Sequence, residues 1–211
     1  MTYYKYPRTP HLPFSASKTS DDKTLDSDRY FYDMERIIIS TKMDGENTTV
    51  YPDGKCHARS IDSTHRDYHS WLLNDIQNWY YKIPKGYRVC GEYLYAKHSI
   101  KYEYLDSYFE VFSIWKDTTC LSWPDTVDMC MDLGLCTVPV FYYGTYNTDM
   151  VKDIAVKTAN SGSEGIVVRN YNSFELKDFD KNIAKYVRPN HVQTDEHWSM
   201  QTIERNLLAS M

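Results

Sequence analysis

Ile37-Ile38-Ile39-Ser40-Thr41-Lys42-Met43-Asp44-Gly45 is the stretch on which the reading of this chain turns. Three isoleucines and a threonine within five residues specify a buried strand, because β-branched side chains suit a pleated sheet better than a helix. Asp44-Gly45 is a turn signal that ends it. Lys42 is therefore delivered to the last position of a buried strand. Burial penalises a charged lysine, so this position is expected to depress the pKa and present the neutral amine as a nucleophile. Asp44 is placed to orient that amine, and Gly45 to let the backbone come close to a bound ligand. Taken alone, K-x-D-G fits a solvated lysine before a turn better than a nucleophile. Its surroundings decide.

Thr48–Tyr51 and Lys55–Arg59 flank Pro52-Asp53-Gly54 and predict a hairpin. From Asp67 to Tyr81, apolar residues at Tyr68, Trp71, Leu72, Ile76, Trp79 and Tyr80 predict a helix ended by Pro84 and Gly86. Tyr87–Tyr95, Tyr108–Trp115, Val138–Tyr143, Ile166–Arg169 and Ile183–Arg188 read as strands. Ser122 and Pro124 open a helix through Met131 that Gly134 caps. Thr148 is expected to cap another helix running to about Ala159, and Asp195–Leu208 is expected to be a terminal helix. Residues 1–30, with Pro7, Pro10, Pro13 and a polar stretch, read as an extended arm. Strands and helices do not alternate regularly. The expected fold is α+β, with mainly antiparallel sheets and packed helices in one domain over 1–211, and residues 191–211 as a C-terminal helix.

Composition excludes several classes. Hydrophobic residues make up 42% and charged residues 25% of the 211, which is ordinary for a globular protein and not for a disordered one. No apolar run approaches the roughly 18 residues of a membrane span, and the first residues do not read as a signal peptide. The five cysteines contain no C-x-x-C pair and read as reduced thiols, so an intracellular, cytoplasmic protein is expected. A viral or phage protein acting in a host cytoplasm fits as well. With 24 basic and 29 acidic residues the net charge is −5, so any nucleic acid must be held by a local basic surface. His57, His65 and His69 include an i, i+4 pair but lack an evident third ligand, and are expected to be solvated.

Downstream of Lys42, chemistry-bearing residues recur in order. Arg88-Val89-Cys90-Gly91-Glu92-Tyr93 places a carboxylate on a strand after a glycine, and Tyr108-Phe109-Glu110-Val111-Phe112-Ser113-Ile114 could present a ring to a purine. Ser163-Glu164-Gly165-Ile166-Val167-Val168-Arg169 starts a strand with a glutamate, and Ala184-Lys185-Tyr186-Val187-Arg188 offers cations.

In this order the segments resemble the five motifs of the covalent nucleotidyltransferases, the polynucleotide ligases and mRNA capping enzymes. K-M-D-G-E-N, with Arg59 after the hairpin, is most similar to the ATP-dependent RNA ligases, especially their nick-sealing branch. The resemblance spans about residues 36–190. It implies a ligase adenylylation (ATP-grasp-like) domain and two cofactors, ATP and Mg²⁺ or Mn²⁺. It also implies an RNA-repair chemistry in which AMP is carried on a lysine, passed to a 5′-phosphate RNA end, and expelled when a 3′-hydroxyl attacks.

The same resemblance assigns roles. Lys42 would be the nucleophile at the α-phosphorus, with Asp44 and Gly45 beside the nucleotide. Arg59 would lie on the phosphate side, Glu92 would take the ribose hydroxyls, Phe112 would stack on adenine, with Phe109 as its alternative, and Glu164 would hold the metal. Lys185 would neutralise the α-phosphate. The family pattern places two lysines one residue apart in the last motif, whereas here Lys185 and Arg188 lie three apart and should face opposite sides of a strand. Lys177 is a spare candidate for the second cation.

A capping guanylyltransferase or a DNA ligase would share the lysine, and a non-catalytic RNA-binding module would share the fold. About two dozen residues follow Arg188, leaving no room for the OB-fold domain of capping enzymes and most DNA ligases, so a minimal, monomeric RNA ligase acting on nicked duplex is the expectation. The tract Tyr6-Pro7-Arg8-Thr9-Pro10-His11-Leu12 also resembles an N-terminal segment of some RNA ligases, and no catalytic role is expected for it.

Overall fold

The computed structural model describes residues 1–18, 22–189, 191 and 203–209. Its elements are, in chain order, α1 (Arg29–Tyr32), β1 (Ile37–Lys42), β2 (Glu46–Val50), β3 (Cys56–Ala58), α2 (Ser70–Asp75), β4 (Tyr87–Tyr93), β5 (Phe109–Lys116), β6 (Thr119–Cys120), α3 (Trp123–Leu133), β7 (Cys136–Thr137), β8 (Val140–Gly144), α4 (Thr148–Asn160), β9 (Gly165–Asn170), β10 (Phe174–Glu175), α5 (Phe179–Asn182) and β11 (Ile183–Val187). Four strands form one sheet in the order β11-β9-β1-β8. The second runs β10-β6-β5-β4-β2-β3, with β7 beside β5 in the one parallel pairing among these strands. The α+β, mainly antiparallel expectation holds.

The period-2 rule then places the chemistry. Pairings Ile38↔Arg169, Ser40↔Val167 and Lys42↔Gly165, with Ile183↔Arg169 and Lys185↔Val167, put Ile38, Ser40, Lys42, Val167, Arg169, Ile183 and Lys185 on one face of the four-stranded sheet. That face meets the second sheet. The opposite face, through Ile37, Ile39, Ile166, Val168, Ala184 and Tyr186, packs on Val151 and Ala155 of α4. Arg169, 2% exposed, ties the two sheets: its guanidinium donates to the carbonyls of Phe112 (3.1 Å) and Leu121 (2.7 Å) and sits over the Trp123 and Phe174 rings.

Ser122 Oγ accepts from the Asp125 N–H and Gly134 takes φ 71°, so α3 starts and stops as its sequence indicates. At α4 the cap is Asn147, whose side chain accepts from the Met150 N–H; Thr148 instead donates its hydroxyl to Asp28. The helix expected over 67–81 is broken into α2 and three 3₁₀ turns. Trp79 leaves helical space at φ −144° to stack its ring on Phe109 and donate Nε1–H to Asp75, so tertiary packing overrides the periodicity.

At the C-terminus, residues 192–202 of the expected helix lie outside the described residues. Residues 203–209 are extended rather than helical: Asn206, fully buried, donates to the Leu94 carbonyl and accepts from the Tyr102 N–H, and isolated bridges join Arg205 to Ala96 and Leu208 to Leu105. These bonds offer the backbone more than a surface helix turn would. Among the described residues no helix is long and apolar enough to cross a membrane.

Candidate active site

Where the two sheets meet, Ser40, Lys42, Asn47, Arg59, Glu92, Phe112, Val167, Arg169 and Lys185 line an open cleft, closed on one side by Tyr6, Pro7, Arg8 and Thr9 of the arm. Lys42 ends β1, where its Nζ lies 2.6 Å from Glu164 Oε2. Glu164 stands immediately before β9, opposite Lys42, because Gly165 is the strand partner of Lys42. A side chain at Gly165 would collide with the Tyr186 carbonyl, so only glycine lets β9 and β11 close up here.

Burial opposes the charge on Lys42, but Glu164, then Glu92 and Asp44, more than offset it, and the amine is held above the ordinary lysine value. This corrects the expectation of a depressed pKa: the carboxylates around Lys42 favour its ammonium form. Glu92 shows the reverse. Burial pushes its carboxyl up to about 8, and Glu164 and Asp44 add to this against the pull of Lys42. Lys185 is lowered by burial and by the charge of Lys42.

Phe112 lies in the cleft, with its ring 5.1 Å from that of Tyr6 in a T-shaped contact, while Phe109 is fully buried against Trp79. Of the two candidate rings, the geometry favours Phe112. Arg59 is exposed at the cleft mouth.

Three expected site residues do not line the cleft. Asp44 does not touch the amine: its Oδ2 accepts from the Ser99 and Ile100 N–H groups (2.8 Å each), and its Oδ1 lies 3.3 Å from His191 Nε2. Burial would raise its carboxyl, but these bonds hold it below the usual range. Gly45 is not a cleft residue either. Its N–H donates to Glu92 Oε1 at 3.2 Å, and a Cβ there would come within 2.5 Å of the Tyr93 carbonyl, so it serves the approach of two strands and not of a ligand. Arg188 follows β11 outside the cleft lining, its Nε buried without a partner among the described residues; exposed Lys177 is outside the lining as well.

Several residues here carried no recognisable sequence signal. His191 stands with Asp44 and Glu164, one donor atom from each lying within 4.8 Å of the others. Asp44 and Glu164 each have one oxygen already engaged, leaving the second to face the imidazole. The two hard carboxylates suit Mg²⁺ or Mn²⁺, whereas the imidazole is a softer donor that Mg²⁺ does not call for. Asn47 lines the cleft with a buried, unpartnered Oδ1. The three histidines singled out by sequence lie apart from the cleft. Two are not solvated: His57 and His69 are buried, bonded to Tyr51 and Glu46, because the turns following the hairpin fold over them; only His65 is exposed.

Two mainly antiparallel sheets enclose a strand-end lysine, a facing carboxylate and a second lysine, and the fold is that of the nucleotidyltransferase-type ATP-dependent ligases. Residues 35–187 match the RNA ligase family, and the chain belongs to it. It is similar in structure to an archaeal ATP-dependent RNA ligase (TM-score 0.58, 15% identity, 88% of this chain and 48% of that one). A putative ATP-dependent DNA ligase from Aquifex aeolicus superposes as well (TM-score 0.57, 17% identity, 88% and 50%). So does a Naegleria gruberi RNA ligase variant with ATP and Mn (TM-score 0.52, 12% identity, 89% and 63%). The chain thus spans about half to under two thirds of these proteins. Among curated proteins no sequence match is found.

Proposed function

We propose that this chain is the adenylyl-transfer unit of an ATP-dependent RNA ligase. Lys42 Nζ attacks the α-phosphorus of ATP; the N–P bond forms, the bond to the β-phosphate oxygen breaks, and pyrophosphate leaves. The ammonium must first give up a proton, and Glu164 Oε2, 2.6 Å away, is placed to receive it. Lys185, on the same sheet face, meets the negative charge at the α-phosphate, and Arg59 meets the outer phosphates. Phe112 stacks on the adenine, and the Glu92 carboxyl hydrogen-bonds the ribose hydroxyls. Asp44, Glu164 and His191 would hold the divalent ion, which when bound screens phosphate charge.

AMP then passes from Lys42 to the 5′-phosphate of an RNA end, and a 3′-hydroxyl displaces it to seal the strand, by preference at a nick in a duplex. The single observation that carries this reading is the Lys42–Glu164 contact in a cleft shared with Lys185, in a chain of the RNA ligase family. The cysteines are unpaired, in keeping with a reducing cytoplasm. The test is incubation with α-labelled ATP and Mg²⁺ followed by mass spectrometry. AMP should appear on Lys42 and vanish in Lys42→Ala; label on another residue, or efficient labelling by GTP, overturns the reading.

A further inference from the structure

The arm does more than cover the sheet. Lys185 N–H donates to the Pro10 carbonyl and the Leu12 N–H donates back to the Lys185 carbonyl, both at 2.8 Å, so residues 10–12 lie alongside β11. Ser15 Oγ accepts from the Val187 N–H at 3.0 Å, and the His11 N–H and carbonyl are bonded in turn to Lys23 and Leu25. This double layer brings Asp22 back over the strand that carries Lys185. Asp22 Oδ1 lies 3.4 Å from Lys185 Nζ and 3.4 Å from His11 Nε2. His11 is 1% exposed, and its Nδ1 lies 2.7 Å from Ser15 Oγ.

We propose that Asp22, held by His11, is a positioning residue for Lys185, fixing its ammonium at the cleft for the transferred phosphoryl group. The inference rests on the nucleotidyl-transfer reading above. Burial and the Lys185 charge push His11 down to about 4, so its ring is neutral at pH 7. A neutral imidazole has one N–H. With the Asp22 carboxylate, an acceptor only, facing Nε2, that proton belongs on Nε2, and Nδ1 accepts the Ser15 hydroxyl. Ser15 then donates to His11 Nδ1, and Asp22 Oδ1 faces two donors at 3.4 Å each, His11 Nε2–H and the Lys185 ammonium.

Lys185 needs such a counter-ion. Burial and Lys42 both work against its charge, while Asp22 and Glu164, which stands just before β9, favour it; Lys18 acts on His11, whose charge it opposes. Asp22 is only part-buried, so its contact to Lys185 holds the ammonium in place without removing it from the cleft, and the remaining donors stay free for phosphate.

The test is Asp22→Asn in the full chain, with Asp22→Glu as the conservative control and Asp22→Ser should the asparagine variant fail to fold. Two readouts are taken: the single-turnover rate of Lys42 adenylylation against pH at saturating ATP, and the titration of the Lys185 side chain by NMR of ¹³C-labelled lysine, assigned with Lys185→Arg. In Asp22→Asn the rate near pH 7.5 should fall about ten- to a hundredfold, its alkaline limb should move to lower pH, and Asp22→Glu should recover most of the loss. The Lys185 titration should move down with it. A stably folded Asp22→Asn or Asp22→Ser with the parental rate and the parental Lys185 titration overturns the inference. A parental protein that forms no Lys42–AMP overturns the nucleotidyl-transfer reading itself, and the NMR titration still decides whether Asp22 acts on Lys185.

Discussion

Lys42 Nζ and Glu164 Oε2 are 2.6 Å apart, although 122 residues separate them in the chain. The pair forms because β1 and β9 are antiparallel neighbours, which brings the end of one against the start of the other. It also holds the Lys42 side chain as an ammonium. Glu164→Ala should therefore do more than loosen a metal. Lys42 would lose both its proton acceptor and its anchor, and adenylylation should fall by about a hundredfold or more, measured in a single turnover.

Phe112 and Phe109 offer a paired test on one strand. Phe112→Leu should weaken nucleotide binding several-fold with little change in thermal stability, since its ring faces the cleft. Phe109→Leu should do the opposite, because its ring is fully buried against Trp79, and replacing a core ring by a smaller apolar side chain costs about 1–3 kcal/mol. ATP titration and urea unfolding of both variants check the assignment.

Arg169→Met should be costly despite matching volume. It takes the guanidinium donor away from the Phe112 and Leu121 carbonyls and removes two cation–π contacts. A loss of about 3 kcal/mol or more in urea unfolding is expected.

Glu110 gives a pH dependence with a definite sign. Burial, then Asp106, pushes its carboxyl up to about 8, and Oε2 has no partner among the described residues. A carboxyl raised in the folded state contributes stability that is complete below its unfolded value near 4.5. That contribution is lost as pH rises through about 8, because the unfolded chain releases the proton first. Glu92 adds a contribution of the same sign. The melting temperature should fall between pH 5 and pH 9, and less steeply in Glu110→Gln, which cannot ionise.

Gly165→Ala should disrupt the four-stranded sheet. The added methyl meets the Tyr186 carbonyl, so β11 must move away from β9 and carry Lys185 with it. Loss of soluble protein, or a drop in melting temperature with loss of adenylylation, is the expected result.

What the sequence revealed follows from range. The strand ending at Lys42 was legible because three isoleucines and a threonine act locally, and Glu92, Glu164 and Lys185 were legible as ordered motifs. The protonation of Lys42 was not, because its sign depends on Glu164, Glu92 and Asp44 converging from three parts of the chain. Asp44 and Gly45 had their chemistry right and their neighbours wrong: a carboxylate after a strand looks like an amine's partner until Ser99 and Ile100 are folded against it. His191 is a lone histidine beyond the last strand, without a pattern to mark it. The arm read as passive because its Pro-rich stretch has no periodicity, and its bonds go to residues about 170 positions away.

That last distance has a consequence for how the protein is made. Synthesis runs from the arm toward the strand it seals, so the arm leaves the ribosome about 170 residues ahead of β11. Until residues 183–187 have emerged, Pro10, Leu12 and Ser15 have no strand to bond, and the cleft lacks both Lys185 and the wall formed by Tyr6 to Thr9. Loop closure over so long a separation is entropically expensive and comes late in folding. A nascent chain therefore has Lys42 long before it has the cleft around it, which closes only once β11 has been made.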